Sequence, residues 1–369
     1  MIISTSGFYC TGSSAVFNLL EEYESCTSGI LKNWQIAGGD YEHIMMYTPD
    51  GVFDLEDKLL IGNSIHRSDE ALGRFHEKMS MLYNTNFMGM GGYKDLFGKE
   101  FYIAFENYVK HLVQFRVTGH WEYHYGGSRF NLKKMLGSIR RTLMHQEIIG
   151  DIYKMPYFNK PEYLQYSFVT DQEFYALTKK FVNRYFSMLR GSDTNPNLIL
   201  NHFLLPHNAF RIPNYFEDDF RLIIVERDPR DVFIIQKRTN DVGIDSSLLP
   251  VDNVADFVSF WRRLRDCVKP IQDERIIKIQ FEDLIYNYDR TIAFLEKRCN
   301  LRSEDHLKKG QILRVEKSIQ NTQLFRIDHR WDKEIAYIER ELPEYLYDFK
   351  ANIWENKTFS SNKDYGNIT

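Results

Sequence analysis

The sequence lacks the features that mark several protein classes. Its 369 residues include only four cysteines, with no C-x-x-C pair, which indicates a reducing compartment rather than a disulfide framework. The net charge of −4 gives no overall basic field for nucleic acid. No apolar run approaches the ~20 residues of a membrane span, and no charged segment followed by an apolar one opens the chain. We therefore expect a cytoplasmic protein without signal peptide, membrane span or nucleic-acid partner.

The sequence is rich in apolar residues: 43% are hydrophobic and 15% are aromatic, which is enough for a large core. A short α/β unit up to about residue 23 is followed by an aromatic-rich, helical stretch over 24–195. The α/β pattern returns from about residue 196. This order predicts one α/β domain over 1–350, a parallel sheet flanked by helices, with 24–195 as a mainly helical insertion. Residues 351–369 read as a polar C-terminal tail.

Local patterns place the elements. Helical periodicity is clearest over 14–23, 68–82, 101–115 and 168–189. Short apolar runs between polar turns predict buried parallel strands at Met1–Ile3, Leu198–Leu200, Leu222–Val225 and Ile276–Ile279.

The first turn carries the strongest signal. The strand at Met1–Ile3 runs into a loop that reads G-x-x-x-x-G-S-S from Gly7 to Ser14, and then into a helix. Loop amides and a helix N-terminus that converge in this way favour an anion. Ser13 stands where a nucleotide-triphosphate P-loop has lysine, and Ser13 and Ser14 suit a helix N-cap. An ordinary glycine-containing turn before an amphipathic helix gives the same pattern, and that alternative stays open.

A second strand–turn–helix unit follows at 222–233. Arg227 comes at the carboxyl end of the predicted strand, where α/β sheets bind ligands, and its guanidinium can hold a phosphate in a bidentate grip. The alternative is a structural ion pair with Asp228 or Asp231.

Together with the later segment Gln280–Leu284, these two units resemble sulfotransferases that use 3′-phosphoadenosine 5′-phosphosulfate (PAPS). Gln280–Leu284 resembles the family's Tyr-Glu-Asp-Leu segment, Ser318–Phe325 its late Ser-x-x-Asn loop, and Ile335–Phe349 its final helix. The resemblance covers the first ~23 residues and roughly 196–350. It implies a P-loop-like fold, PAPS as the donor without a metal, and a hydroxyl-bearing acceptor such as a carbohydrate, with the insertion on the acceptor side.

The resemblance also implies roles for single residues. Arg227 would bind the 3′-phosphate, and Lys309 would meet the nucleotide, unless it belongs to a solvated charge run. His202, just after a predicted strand, would take the acceptor proton, since an imidazole titrates near neutral pH. The residues expected to bind the 5′-phosphosulfate are Gly7, Tyr9, Cys10, Thr11, Gly12, Ser13 and Ser14.

Alternatives for the base remain. His202 could be a strand-end histidine bonded to a backbone carbonyl, and other branches of the family use a carboxylate, which leaves Glu42 and Asp69 open. Two polar and aromatic clusters, at 66–69 and 120–124, would line the acceptor site or mark loops beside helices. The His120 and His124 pair is not expected to bind a metal.

Three positions depart from the family pattern. Cys10 replaces the loop Lys or Arg that stabilises charge on the leaving nucleotide, and losing one such donor typically costs about two to three orders of magnitude in rate. Leu200 replaces a lysine, and Ile235 a serine that helps to hold the 3′-phosphate. Cys10 as a nucleophile, with its pKa lowered at a helix N-terminus, is a further interpretation. Two rival functions follow: a P-loop kinase-like phosphotransferase, and a family member that binds nucleotide or glycan with little turnover.

Overall fold

The computed structural model describes residues 1–30, 44–62, 65–87, 90–118, 163–241 and 248–349. Within these ranges the strands are β1 (Ile2–Gly7), β2 (Cys26–Thr27), β3 (Asn86–Phe87), β4 (Met90–Gly91), β5 (Phe115–Thr118), β6 (Tyr163–Tyr166), β7 (Asn197–Asn201), β8 (Phe220–Glu226) and β9 (Ile276–Gln280).

Helices account for most of the remaining regular structure. The α-helices are α1 (Ser13–Leu20), α2 (Ile44–Tyr47), α3 (Val52–Glu56), α4 (Ile65–Asn84), α5 (Tyr93–Phe97), α6 (Lys99–Leu112), α7 (Asp171–Arg190), α8 (Ile212–Tyr215), α9 (Pro229–Asp241), α10 (Val254–Asp266), α11 (Phe281–Tyr286), α12 (Tyr288–Cys299), α13 (Val315–Ser318) and α14 (Asp332–Glu341). A π-helical turn spans Asp57–Ile61. Shorter 3₁₀ turns lie at Pro206–Arg211, Ser303–Asp305, Ile319–Asn321, Leu324–Arg326, His329–Trp331 and Pro343–Tyr345.

The main sheet has five parallel strands in the order β2-β7-β1-β8-β9. The predicted α/β class, a parallel sheet flanked by helices, is confirmed. β1 lies at the centre between β7 and β8, with Thr5 opposite Asn201 and Gly7 opposite Val225. The loops that follow these three strands therefore leave the same edge of the sheet side by side.

Both faces of the sheet are buried, because successive side chains along each strand point to opposite faces. Ile3, Ile199 and Ile223 pack in one cluster with α1, α11 and α12. The other cluster joins the sheet to the helical region between β2 and β7; its sheet residues include Ile2, Leu198, Leu200, Leu222 and Ile224.

The helical region matches two of the predicted helices closely. The stretches at 68–82 and 168–189 form α4 and α7. Thr170 begins α7 with a capping box, in which its hydroxyl accepts from the Glu173 amide and the Glu173 carboxylate accepts from the Thr170 amide. The prediction for 101–115 ends too late, because Gln114 donates its amide to the carbonyl of Tyr166 and the chain continues as β5, which pairs with β6 antiparallel.

A buried carboxylate ties this helical region to the segment after β7. Glu56 accepts hydrogen bonds from the hydroxyls of Tyr175 (2.6 Å) and Tyr215 (2.7 Å) and from the guanidinium of Arg211. Arg211 also bonds both carboxylate oxygens of Asp57 at 2.9 Å. Each buried charge thus has an oppositely charged partner, as burial requires.

The C-terminal part differs from the predicted final helix at 335–349. The helix there is α14, and a 3₁₀ turn begins at Pro343, whose ring fixes the backbone and removes a donor. Among the residues with a described position, no helix is long and apolar enough to cross a membrane. Glu42, the 120–124 cluster and the tail at 351–369 lie outside the described residues, as does the side chain of His66.

Candidate anion-binding site

The loop after β1 is a tight, internally bonded turn. The Thr11 hydroxyl donates to the carbonyl of Phe8 over 2.8 Å, and the Thr11 amide donates to the same oxygen over 3.2 Å. A Cβ at Gly7 would lie 2.2 Å from the Thr11 hydroxyl oxygen, so the turn requires glycine at this position. Cys10 and Gly12 both take left-handed backbone angles, with φ of 61° and 94°.

The start of α1 presents unpaired amides to this turn. The N-cap residue is Gly12, without a side-chain cap, so the expectation that Ser13 and Ser14 cap the helix is wrong. Within the described part of the chain, the amides of Gly12, Ser13 and Ser14 have no acceptor. The Ser13 side chain is buried and Ser14 is exposed. These amides form a set of donors suited to an anion.

His202 lies against this donor set. Its Nε2 is 2.7 Å from Oγ of Ser13. Its own amide donates to the carbonyl of Thr5 over 2.8 Å, which extends the pairing of β7 with β1 by one residue before the chain turns at a left-handed φ of 53°. The ring nitrogen thus contacts a hydroxyl of the loop.

Arg227 reaches the same loop from the end of β8. One terminal nitrogen donates to the carbonyl of Cys10 over 3.2 Å, and the other donates to the carbonyl of Asn321. The residue is 7% exposed, and its Nε is buried without a partner among the residues described. Asp228 pairs with Arg230 instead, and Asp231 accepts from two backbone amides. The structural ion pair considered for Arg227 is therefore not observed in the described part of the chain.

Phe281 packs beside both the loop and Arg227. Its ring lies 4.5 Å from the guanidinium carbon of Arg227, a cation–π contact. A Cβ at Gly12 would lie 2.5 Å from the same ring. The glycine is thus required both by its φ of 94° and by the ring beside it.

Two carboxylates behind Arg227 are fully buried. Burial raises the pKa of Glu282 to about 8, against a smaller opposing effect of the Arg227 charge. Burial and the neighbouring Asp228 raise the pKa of Asp231. Glu282 accepts the amide of Asp228 over 2.9 Å, and Asp231 holds the amides of Gln323 and Leu324. These bonds fix the turn after β8 and the segment that reaches Arg227.

The thiol of Cys10 does not have the lowered pKa that is expected of a nucleophilic cysteine. Burial raises its pKa, and the nearby charge of Arg227 only partly offsets that effect. Its sulfur lies 3.7 Å from Oε1 of Gln236, a buried residue of α9. The expectation of a lowered pKa at this position is wrong, because desolvation of the thiol outweighs the nearby charge of Arg227.

Other predicted residues lie elsewhere. Lys309 is exposed and pairs with Asp289 at 3.0 Å. Its neighbour Lys308 donates its amide to Glu22, beyond the C-terminal end of α1, so this segment does not reach the loop. Asp69 accepts the amide of Gln165 over 2.6 Å in the helical region. Tyr9 is 44% exposed and packs against Phe260.

Two further predicted positions are occupied by apolar packing. Leu200 is completely buried in the core, and Ile235 packs against the cluster around α9 and α10. Neither can contribute a polar contact to an anion.

Sequence reasoning missed Phe281 and the carbonyl of Asn321 as parts of the site. Phe281 belongs to a segment that the resemblance singled out, so that segment carried a usable signal. Comparisons of this chain with protein-family models, curated proteins and solved structures found no match.

Proposed function

We propose that this chain transfers a sulfuryl group from PAPS to a hydroxyl of a carbohydrate-like acceptor. One observation carries the proposal: the guanidinium of Arg227 lies 3.2 Å from the carbonyl of Cys10. Two groups suited to anions, from segments more than two hundred residues apart, are thereby brought to one place. A donor with phosphate groups at both ends of an adenosine matches such a pair of groups.

Each group then has a role. The amides of Gly12, Ser13 and Ser14, with the Ser13 and Ser14 hydroxyls, bind the 5′-phosphosulfate. Arg227 exchanges its contacts with two carbonyls for the 3′-phosphate, which offers stronger, charge-assisted hydrogen bonds. The Nε of Arg227, which is buried and has no hydrogen-bond partner within the described ranges, is a further donor for that phosphate.

The reaction exchanges one sulfur–oxygen bond for another. The bond from sulfur to the phosphate oxygen breaks, a bond from sulfur to the acceptor oxygen forms, and the acceptor proton goes to His202. Adenosine 3′,5′-bisphosphate leaves as an anion. Catalysis then rests on in-line positioning, charge stabilisation and a base, as in phosphoryl transfer. The P-loop-like fold and the role of 24–195 as the acceptor side belong to this proposal.

A second candidate is binding without turnover. It is favoured by Cys10, a partly buried residue whose raised thiol pKa keeps it uncharged where the family has a cation. Loss of one stabilising donor costs about 10²–10³ in rate.

Thermal unfolding in the presence of ligands tests the proposal, because a ligand that binds the native state alone raises the melting temperature. We expect adenosine 3′,5′-bisphosphate to raise it, and ADP and ATP–Mg²⁺ to have little effect. Transfer of labelled sulfate from PAPS to a panel of sugars then separates an enzyme from a binder. A rise with ATP–Mg²⁺ alone would support a phosphotransferase and refute the proposal.

A further inference from the structure

Oγ of Ser13 and Nε2 of His202 are 2.7 Å apart. In the proposed reaction Ser13 binds the leaving phosphosulfate, and His202 takes the proton of the acceptor. Ser13 begins α1 among the amides suited to the phosphosulfate. A serine hydroxyl has a single hydrogen to donate. If Ser13 donates that hydrogen to the phosphosulfate, it can only accept from His202, and Nε2 must then carry a proton.

We propose that Ser13 transmits the charge of His202 to the leaving phosphate, so that this histidine supplies the positive charge that Cys10 lacks. This inference rests on the proposed function. With Nε2 protonated and bonded to Ser13, the neutral ring has its lone pair on Nδ1, and the acceptor proton is taken there. His202 thus acts through Ser13 on the leaving group, and through its other nitrogen on the acceptor.

The timing follows from the same bonds. Before transfer the ring is neutral. As the acceptor oxygen attacks sulfur, its proton moves to Nδ1 and the ring becomes an imidazolium. The Nε2–H bond to Ser13 is then charge-assisted, and the polarised hydroxyl donates more strongly to the phosphate oxygen that gains charge. The bisphosphate leaves without taking a proton, and His202 later returns its proton to water.

The described elements near His202 carry a small set of titratable and charged groups. β1, β7 and α1 carry no charged side chain. The loop contributes the Cys10 thiol, and the turn after β7 contributes His207, which is bonded to the carbonyl of Leu264 at 2.8 Å. The guanidinium of Arg227 contacts the Cys10 carbonyl, and that of Arg265 stacks over Phe8.

Nuclear magnetic resonance of ¹⁵N-histidine-labelled protein tests the relay directly. The signals of His202 are assigned with His202→Asn, since asparagine tolerates the left-handed backbone at this position. With adenosine 3′,5′-bisphosphate bound, we expect the neutral ring to carry its proton on Nε2. The bisphosphate should also raise the titration midpoint of His202 by about one pH unit in the wild type, and by much less in Ser13→Ala.

Ser14→Ala is the matched control, because it removes a neighbouring, exposed hydroxyl and keeps the Ser13 hydroxyl that contacts His202. It should weaken bisphosphate binding while keeping the shift of the His202 midpoint. In turnover with PAPS, Ser13→Ala should lower kcat by about 10²-fold, with a smaller change in the KM for PAPS. Because every variant is compared with the same ligand, any contribution of the ionisation of the bisphosphate to the midpoint shift is the same for all of them.

The outcomes separate the two ideas. A lone pair on Nε2 in the bisphosphate complex, or an equal midpoint shift in the wild type and Ser13→Ala, overturns the relay and leaves the proposed function standing. Wild-type protein that does not bind the bisphosphate at all overturns both.

Discussion

The guanidinium of Arg227 donates to the main-chain carbonyl of Cys10 over 3.2 Å, and so joins the end of β8 to the loop after β1. The contact is made to the backbone of Cys10, so it does not depend on the side chain at that position. It brings a buried cation to the loop after β1. An arrangement with Arg227 at the opposite edge of the sheet would have removed the basis for a shared ligand.

Replacing Arg227 tests its role in recognising the 3′-phosphate. Arg227→Ala should lower the affinity for adenosine 3′,5′-bisphosphate by about 10- to 100-fold, which corresponds to the free energy of hydrogen bonds to a charged group. The affinity for adenosine 5′-monophosphate should remain nearly unchanged. Arg227→Lys should recover only part of the loss, because lysine lacks the planar fork. Calorimetric titration measures both affinities.

The control for this series is Arg302→Ala, which removes an exposed arginine that pairs with Asp305 away from the loop. It should bind both nucleotides as the wild type does. A preference for the bisphosphate that persists in Arg227→Ala would show that another group reads the 3′-phosphate.

Three glycine substitutions separate backbone strain from steric clash. Gly12→Ala combines a φ of 94° with a Cβ only 2.5 Å from the Phe281 ring, and should destabilise the protein by about 2–4 kcal/mol. Gly98→Ala has strained backbone angles (φ 59°, ψ −151°) but open space around the new methyl group, and should cost less than Gly12→Ala, about 1–3 kcal/mol. Gly73→Ala, in α4 with open space around it, should stabilise by up to about 1 kcal/mol. Urea denaturation gives the three values, and a different order would contradict this account.

The buried carboxyl of Glu282 predicts a pH dependence of stability. Its folded pKa of about 8 lies above the ordinary glutamate pKa of 4.5, so the folded state binds more protons than the unfolded state between these values. The unfolding free energy should therefore fall as pH rises from about 4.5 to about 8, by at most about 1.4 kcal/mol per pH unit for this group.

Glu282→Gln keeps an oxygen for the Asp228 amide and removes the titration. This variant should be the more stable protein near pH 8, with a shallower dependence on pH. Denaturation series at several pH values compare the two proteins. Identical slopes would mean that Glu282 ionises in the folded state as easily as in water.

The pair formed by Glu56 and Arg211 should respond strongly to loss of one partner. Arg211→Met leaves a buried carboxylate with two tyrosine donors and should cost about 3–5 kcal/mol. Adding Glu56→Gln to this variant should restore part of the loss. The exposed pair of Arg184 and Glu100 is the control, and its removal should cost less than about 1 kcal/mol. Equal costs for the two single arginine variants would contradict the importance of burial here.

The sequence predicted the central part of the fold because long apolar runs and helical periodicity are local signals. β7, β8 and β9 all contain the predicted runs. β2 was missed, since two residues, Cys26 and Thr27, are too few for any pattern. The segment Gln280–Leu284 stands out in the sequence only as a motif, and most of it lies in the short helix Phe281–Tyr286.

Local signals also identified individual residues of the candidate site, but not the contacts between them. His202, Ser13 and Arg227 were each identified from a strand end or a loop. Their contacts depend on strand order, with β7 and β8 on the two sides of β1, and that order is not written in any one segment. Lys309 shows the limit of such local signals. As a basic residue before a glycine it is predicted to meet the nucleotide, yet it does not lie near the loop.

The two outer strands of the main sheet bear on self-association. β2 is two residues long, so that edge offers another chain almost no backbone to pair with. At the other edge, β9 carries the exposed Lys278 at its centre, and a charged side chain there opposes strand-to-strand aggregation. Copies of this protein are thus discouraged from joining their sheets into a continuous ribbon.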